Sequence, residues 1–460
     1  MTIADKKNTE SRLIEMRSIS ATPAKRMDAC RRLLPDLNYS SKNSPLKVGL
    51  TGEAAKALKA SPTLIAAGGE GDEFQVIHTQ LAGANLLRTV ERAVITALLP
   101  AHPYTLFIFS NADHSRWHFV NVKVARKEKS DENRDTRLRR LFRRISISVD
   151  DRLRTATERI AMLDLAAIQP ELFGLSALPI QQRHDDAFDV EAVTSEFFKE
   201  YRRVFEAVEG AIKGLRGAEN RRLYTQRLFN RLMFIAFIQK KGWLKFPGMA
   251  ENEYLEALWK DYREKKKGDD PNFYRDRLSH LFFRGLNTPN DVNIVGANTG
   301  KVVGKPSFLA GLIGDVPYLN GGLFEKSDDG TDDDSSIVVP DKAIDAVINE
   351  LFARFNFTVS ESTPLDVEVA VDPEMLGKVF EELVTGRHES GSYYTPKPIV
   401  SFMCREALKG YLETKFPGER KDAIAAFVDE HTAVGLRDGE AVLDALRKVK
   451  VCDPACGSGA

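Results

Sequence analysis

Two short segments of the sequence carry residue types that suit the binding of a charged small molecule. The first is the string DPACGSG at 453–459, which directly follows the apolar segment 449–452. Asp453 can accept hydrogen bonds from an ammonium group, whereas Gly457 and Gly459 let a ligand approach backbone N–H groups closely. The string lacks the first glycine of the dinucleotide fingerprint GxGxxG, so a ligand with a zwitterionic amino-acid end suits it better than a pyrophosphate.

The second segment is GSYYTP at 391–396, which precedes a run of apolar residues at helical spacing. Thr395 is a good helix N-cap, and Pro396 suits the first helical position. A capped helix start is the ordinary interpretation, although the free N–H groups of such a start can also hold a carboxylate. Residues 449–452 alternate apolar and polar and include β-branched valines, which predicts a strand. Asp453 would then lie at its carboxyl end, where ligands of doubly wound sheets bind.

In this order and about sixty residues apart, YYTP and DPACGSG resemble the first two cofactor-binding motifs of N6-adenine DNA methyltransferases. Upstream, QRLFNRLMFIAFIQKKGWL, PYLNGGLFE and VDPEMLGKVFEELV are similar to the helical region of large single-chain type IIG restriction-modification enzymes and of phage-defence adenine methyltransferases. The resemblance covers residues from about 200 to 460. It implies methyl transfer from S-adenosyl-L-methionine to adenine N6 in double-stranded DNA.

The resemblance implies site residues only where the motifs match. Asp453, Ala455, Gly457 and Gly459 would line the S-adenosylmethionine pocket, with Asp453 near the methionine amino group. Thr395 would contact the methionine carboxylate. The catalytic Asn/Asp/Ser-Pro-Pro-aromatic motif of the family has no counterpart here, because the sequence contains no Pro-Pro pair. We therefore expect the catalytic residues beyond residue 460, and expect the chain alone to be inactive.

The pattern of predicted strands and helices around these segments indicates a multidomain α/β plus α-helical protein. Segment 74–124 contains the predicted strands FQVIHTQL, YTLFIFS and WHFVNVKV, with a helix after the first strand and a hairpin between the other two. Helical spacing dominates 193–286. We expect an N-terminal α/β module at 1–165, a mainly helical connector at 166–385 and the start of a Rossmann-like S-adenosylmethionine-dependent methyltransferase domain at 386–460.

An N-terminal nuclease is a second activity that the resemblance suggests. Type IIG enzymes often carry an acid on one strand and Glu-x-Lys on the next, which hold a metal ion and orient water. Here the second hairpin strand offers Asn121 and Lys123 instead, and an amide is a poorer Mg²⁺ ligand than a carboxylate. Three interpretations stay open: a Mg²⁺-dependent nuclease, a degenerate nuclease-like or DNA-contacting module, and an unrelated fold.

One segment carries a marked excess of positive charge. Residues 116–159 contain fourteen Arg/Lys against seven Asp/Glu, whereas the whole chain contains 66 of each. One interpretation is contact with DNA phosphates, and the other is a solvated helix face with i,i+4 ion pairs. The candidate phosphate contacts are Arg139, Arg140, Arg143 and Arg144.

Two further groups of polar residues are expected to be ordinary surface features. His114 and His118 flank the hairpin turn, and without further ligands they are expected at the surface rather than around a metal. The acidic run SDDGTDDDSS at 327–336 is expected to be a solvated loop.

The composition excludes several protein classes. With 43% hydrophobic and 29% charged residues, the chain can form ordinary cores. The longest apolar run, 232–238, is far short of the roughly 20 residues that span a bilayer. Four cysteines are too few for a disulfide scaffold. We expect a cytoplasmic protein with no membrane partner, and other defence-system subunits are potential partners. The rival hypothesis for its function is a non-catalytic DNA-binding remnant.

Overall fold

The computed structural model of the chain describes residues 3–125, 139–169, 174–250, 252–265, 270–288, 308–319, 322–358, 366–371, 397–430 and 432–452. The chain divides into two compact units, Met1–Asp372 and Pro373–Ala460. The finer division at residues 165 and 385 stays a prediction.

The first unit contains, within its described residues, a mixed sheet of seven strands that lie in sequence order. Its strands are β1 (Ser40–Pro45), β2 (Thr63–Gly68), β3 (Phe74–Gln80), β4 (Thr105–Ser110), β5 (Trp117–Ala125), β6 (Arg139–Ile147) and β7 (Asp366–Glu368). Neighbouring strands are antiparallel except for the parallel pairs β3–β4 and β6–β7. The predicted hairpin is confirmed as the antiparallel pair β4–β5.

Helices cover both faces of this sheet. Those of the N-terminal part are α1 (Ile3–Arg17), α2 (Pro23–Asp36), the short α3 (Gly52–Lys56), α4 (Arg88–Leu98), α5 (Leu153–Ala161) and α6 (Ala177–Ala187). The predicted helix after the first strand is α4, which makes the crossover that parallel strands require.

The alternation of side chains along the strands gives the sheet two distinct cores. Phe107 and Val120 belong to one core together with Val94 of α4, and we call this side the α4 face. Ile108 and Phe119 point to the other side, where they share a core with helices α1, α2, α5 and α6; we call it the α6 face. Because the side-chain period of a strand is two residues, adjacent residues of β5 serve opposite cores.

The predicted helical region forms the rest of the first unit. It contains α7 (Val190–Ala211), α8 (Ala218–Lys240), α9 (Tyr254–Lys265), π-helical segments at Tyr274–Leu278 and Leu281–Leu286, α10 (Phe308–Ile313), and α11 (Asp341–Asp345), which continues into a π-helical segment at Ala346–Phe352. Asp189 caps α7 by accepting a hydrogen bond from Glu191 N at 3.1 Å. Tyr201 and Phe205 of α7 pack edge-on against Phe229 of α8, which joins the two longest helices of this region.

Strand β7 ties the end of the helical region to the N-terminal sheet. It pairs in parallel with β6, and its Glu368 lies in register with Arg144. Val369 N then donates to the carbonyl of Arg144 at 2.8 Å. The sheet is therefore assembled from chain segments on both sides of the helical region.

The second unit is described through three helices. These are α12 (Lys397–Lys415), α13 (Lys421–Glu430) and α14 (Gly439–Lys448). Leu412, Ile424 and Val442, one from each helix, form the centre of its small core. Asp438 caps α14 by accepting a hydrogen bond from Ala441 N at 2.9 Å.

Candidate functional site

The residues predicted to bind the cofactor lie outside the described part of the chain. This holds for Thr395, Asp453, Ala455, Gly457 and Gly459. Their proximity to one another in space therefore stays a prediction.

The helix that follows the first motif is described from Lys397, the residue after the predicted first helical position. Helix α12 starts at Lys397, two residues after Thr395, and continues for 19 residues. The predicted apolar face is divided: Leu408 and Tyr411 pack against the core of the second unit, whereas Phe402 and Met403 are about 60% exposed. The first two turns of α12 thus present an uncovered apolar surface among the described residues.

The predicted strand at 449–452 is not found as a strand. Within the described residues no strand pairs with this segment, and Val451 is 87% exposed. Val449 has extended backbone angles, φ −61° and ψ 133°, but no ladder forms at this segment within the described residues. A strand needs a hydrogen-bonding partner as well as residues of high strand propensity.

The nuclease-like hairpin strand places Asn121 in a closed network of hydrogen bonds on the α6 face. The Asn121 side chain is fully buried, and its Nδ2 donates to Asp185 Oδ1 at 2.7 Å. Gln181 Nε2 donates to Asn121 Oδ1 at 2.9 Å and to the same Asp185 oxygen at 3.1 Å. Arg143 Nη1 adds a hydrogen bond to the Asp185 carbonyl at 3.1 Å.

This network does not fit a Mg²⁺ ion. The Asn121 oxygen, which would be its metal ligand, already accepts a hydrogen bond, and Asp185 supplies the single carboxylate among the three linked side chains. Mg²⁺ sites need several oxygen ligands in near-octahedral geometry. Across the described residues, no three His, Cys, Asp or Glu side chains come together as a candidate metal site.

On the α4 face, the same strand contributes to a buried ionic cluster. His118 Nδ1 lies 2.6 Å from Glu91 Oε1, and Arg144 Nη2 lies 2.7 Å from Glu91 Oε2. Glu91 and Arg144 are both fully buried. Burial alone would raise the pKa of Glu91, but His118 and Arg144 outweigh it and lower that pKa to about 2. The cluster therefore holds an ionised carboxylate inside the protein.

The structure corrects part of the predicted set of phosphate contacts. Arg144 has no exposed surface and is occupied by Glu91, so it is not available to DNA. Arg143 is largely buried and is oriented by Asp185. Arg140 is partly exposed, and the side chain of Arg139 lies outside the described residues. Part of the positive charge of this segment therefore lies inside the protein, because the adjacent residues Arg143 and Arg144 of β6 point to the two covered faces of the sheet.

Of the two histidines of the hairpin, His114 is buried, contrary to the expectation of a surface residue, whereas the side chain of His118 is 16% exposed. His118 belongs to the ionic cluster, whereas His114 lies on the α6 face and stacks on Trp117 with ring centroids 5.3 Å apart. His78 Nε2 and His114 Nδ1 each lie 2.8 Å from Ser110 Oγ. Desolvation lowers the pKa of His78 to about 3 and that of His114 to about 4, so both imidazoles are neutral near pH 7.

The hydrogen bonds determine which atom is donor and which is acceptor from Gln80 through His114 and Ser110 to His78. Gln80 Nε2 donates to Ala112 O at 3.0 Å and lies 3.1 Å from His114 Nε2, which must accept. His114 Nδ1–H then donates to Ser110, whose hydroxyl donates to His78. Ser110 is fully buried, so this serine–histidine arrangement is a structural network rather than an accessible nucleophile.

The acidic run at 327–336 is not simply a solvated loop. Asp332 is buried and accepts two hydrogen bonds from Arg231 of α8, both at 3.0 Å. Desolvation would raise the pKa of Asp332, but Arg231 and the Ser327 amide lower it. Asp329, in contrast, pairs with Arg227 at the surface. One carboxylate of the run therefore anchors the loop to the helical region.

The partners that α4 and α6 contribute, Glu91 and Asp185, were not predicted from the sequence. A signal existed for Glu91, which shares the helical spacing of the buried Val94, Ile95 and Leu98 and so lies on the apolar stripe of α4. Asp185 gave no such signal, because its neighbour Asp186 has the same chemistry.

Comparison with known proteins gives one informative similarity. The chain is 31% identical over 248 residues to a protein of Methanocaldococcus jannaschii that is named as a candidate type II restriction enzyme and methyltransferase. The similarity covers 50% of this chain and 19% of that relative, so the chain spans about a fifth of the relative's length. No protein-family model and no solved structure matches the chain. No helix among the described residues has the length and apolarity needed to cross a membrane.

Proposed function

We propose that this chain belongs to a site-specific DNA methyltransferase that transfers a methyl group from S-adenosyl-L-methionine to adenine N6. We place the enzyme in a restriction-modification or phage-defence system of the cytoplasm, acting on double-stranded DNA and with other defence-system subunits as potential partners. The observation that carries the proposal is the ordered pair of motifs, YYTP and DPACGSG, with a long helix beginning at Lys397 directly after the first. The name of the similar M. jannaschii protein supports the restriction-modification assignment.

The proposed cofactor residues have complementary chemistry. S-adenosylmethionine supplies an electrophilic methyl group and carries a zwitterionic methionine end. Asp453 would accept hydrogen bonds from the ammonium group, and the N-terminal amides of α12 with Thr395 would donate to the carboxylate. Ala455, Gly457 and Gly459 would keep the loop free of side chains where the cofactor lies against backbone.

The test is methyl transfer by the protein expressed from its complete gene. Tritium from methyl-labelled S-adenosylmethionine should enter duplex DNA, and digestion to nucleosides should yield N6-methyladenine. Asp453→Ala should abolish transfer, whereas Asp422→Ala should leave it unchanged, because Asp422 is an exposed carboxylate of the second unit paired with Arg420. Methylation of cytosine, or full activity of Asp453→Ala, would overturn the proposal.

We do not extend the proposal to Mg²⁺-dependent cleavage by the N-terminal module. The hydrogen-bonding capacity of Asn121 is taken up by Asp185 and Gln181, which favours a degenerate nuclease-like or DNA-contacting role. Cleavage of DNA by the same protein with Mg²⁺, lost on Asn121→Ala in a folded variant, would reverse this assignment.

A further inference from the structure

A charged cleft in the first unit has no role in the function proposed above. It has a volume of about 460 Å³ and is lined by residues of α1, α5 and α7 together with Arg354. Four of its lining side chains are cationic and two are carboxylates. The cations are Lys6, Arg154, Arg159 and Arg354, and the carboxylates are Glu158 and Glu196.

Both carboxylates of the cleft are already engaged by cations of the same cleft. Glu158 Oε1 lies 3.6 Å from Lys6 Nζ and 3.5 Å from Arg154 Nε. Glu196 pairs with Arg354 Nη2. Arg354 also pairs with Glu200 at 3.4 Å, so the surplus of positive charge lies with Lys6, Arg154 and Arg159, which face the single carboxylate of Glu158.

Arg159 provides an underused set of hydrogen-bond donors at this cleft. The residue is only 8% exposed, and no described carboxylate forms an ion pair with it. Its guanidinium donates from Nη1 to the sulfur of Met162 at 4.0 Å. A thioether is a weak acceptor, whereas a guanidinium carries five N–H donors and stays charged at all physiological pH values. A mostly buried arginine with so little compensation favours an anionic ligand.

We propose that this cleft binds a small phosphate-bearing anion, with Arg159 as the main ligand-binding residue and with Lys6 and Arg154 adding positive charge. The planar fork of arginine matches two oxygens of a phosphate group, and such charge-assisted hydrogen bonds are the strong ones. The cleft volume lies within the range of roughly 300–1,000 Å³ that is usual for small-molecule sites. A phosphate monoester such as a nucleoside monophosphate is therefore the expected ligand, with inorganic phosphate as the minimal one.

The test measures binding of inorganic phosphate and of AMP to the 460-residue chain by calorimetry at low ionic strength. Both should bind saturably, with AMP the tighter if the site recognises a monoester. Arg159→Met should weaken binding by about tenfold or more, which corresponds to loss of one charge-assisted interaction. Arg275→Met is the matched control, because Arg275 is an exposed arginine paired with Asp270 and Asp276, and it should bind like the wild type.

A second variant keeps the test decisive if Arg159→Met fails to fold. Glu158→Gln removes the carboxylate that neutralises Lys6 and Arg154, so it should tighten phosphate binding by about threefold to tenfold. Unchanged or weaker binding in Glu158→Gln would overturn the proposal, as would the absence of saturable binding in the wild type. Binding of a short DNA duplex that depends on Arg159, without any response to phosphate or AMP, would overturn the assignment to a small ligand. Methyl transfer is measured separately with Asp453→Ala, so failure of one proposal does not imply failure of the other.

Discussion

The two faces of the N-terminal sheet each contain a carboxylate, but they stabilise it with different partners. Strand β5 sends His118 to the α4 face and Asn121 to the α6 face, and each meets a carboxylate from the covering helix. On the α4 face, Glu91 is ionised between a histidine and a fully buried arginine. On the α6 face, the carboxylate of Asp185 accepts hydrogen bonds from the neutral amides of Asn121 and Gln181. A buried ion pair depends on both partners, whereas an amide network depends on hydrogen-bond geometry, so the two faces should respond differently to mutation and to pH.

The largest effect is expected from Arg144→Met on the α4 face. This change leaves Glu91 buried without its arginine, and breaking a buried ion pair typically costs about 3–5 kcal/mol. The free energy of unfolding from urea titration measures the loss. The double variant Arg144→Met with Glu91→Gln should recover part of the stability, because no uncompensated charge is then buried. Equal stabilities of wild type and Arg144→Met would show that the ion pair is not formed in solution.

The pH response should separate the two faces. On the α6 face, desolvation lowers the pKa of His184 to about 3, against an ordinary value of 6.5. The unfolded chain takes up a proton below pH 6.5 while the folded one does not, so stability should fall between pH 6.5 and 3, by roughly 1.4 kcal/mol per pH unit for each such histidine. The pKa of Glu91 is lowered to about 2 from 4.5, so its contribution is complete above pH 4.5 and is lost toward pH 2.

His184→Gln provides the check on this assignment. Its slope of unfolding free energy against pH, measured between pH 6.5 and 4.5, should be shallower than that of the wild type. A glutamine can retain a hydrogen bond to the Tyr39 hydroxyl, which lies 2.7 Å from His184 Nε2. Identical slopes would mean that His184 is protonated in the folded protein.

A smaller effect is expected from Asn121→Ala on the α6 face. Loss of its two hydrogen bonds leaves Asp185 and Gln181 with fewer partners, at a cost of about 1–3 kcal/mol in unfolding free energy. Asn349→Ala removes an exposed asparagine that also donates to an aspartate, and serves as the control with a cost below about 0.5 kcal/mol. A cost for Asn121→Ala as large as that for Arg144→Met would remove the contrast between the two faces.

The smallest effect on stability is expected from Arg140→Met, because Arg140 is only partly buried. The cost should stay within about 0.5 kcal/mol. If Arg140 contacts a DNA phosphate, the slope of the logarithm of DNA affinity against the logarithm of salt concentration should decrease by about 1. An unchanged slope would show that Arg140 does not contact a DNA phosphate. None of the predicted phosphate contacts with a described side chain would then remain.

The elements were more predictable than the sites. Periodicity predicts the hairpin, α4 and the long helices α7 and α8, because burial of an apolar stripe or strand face is a local pattern. It does not predict the fate of Arg144, since an arginine inside a sheet requires a carboxylate supplied by a helix 53 residues away in sequence. Likewise, Asp332 is distinguished from its neighbours in the acidic run only by its distance to Arg231. Long-range partners, rather than residue type, decide whether a charge is buried.

The return of the chain at β7 limits how the first unit can be divided. Expression of residues 1–165 alone would leave the backbone of β6 unpaired at Phe142–Arg144. It would also remove Glu368, which pairs with Arg88 and accepts from Thr358. Unpaired strand edges recruit other chains and favour aggregation. A soluble, monomeric excised sheet should therefore require the segment at 366–371 to be supplied as well, either covalently or as a peptide.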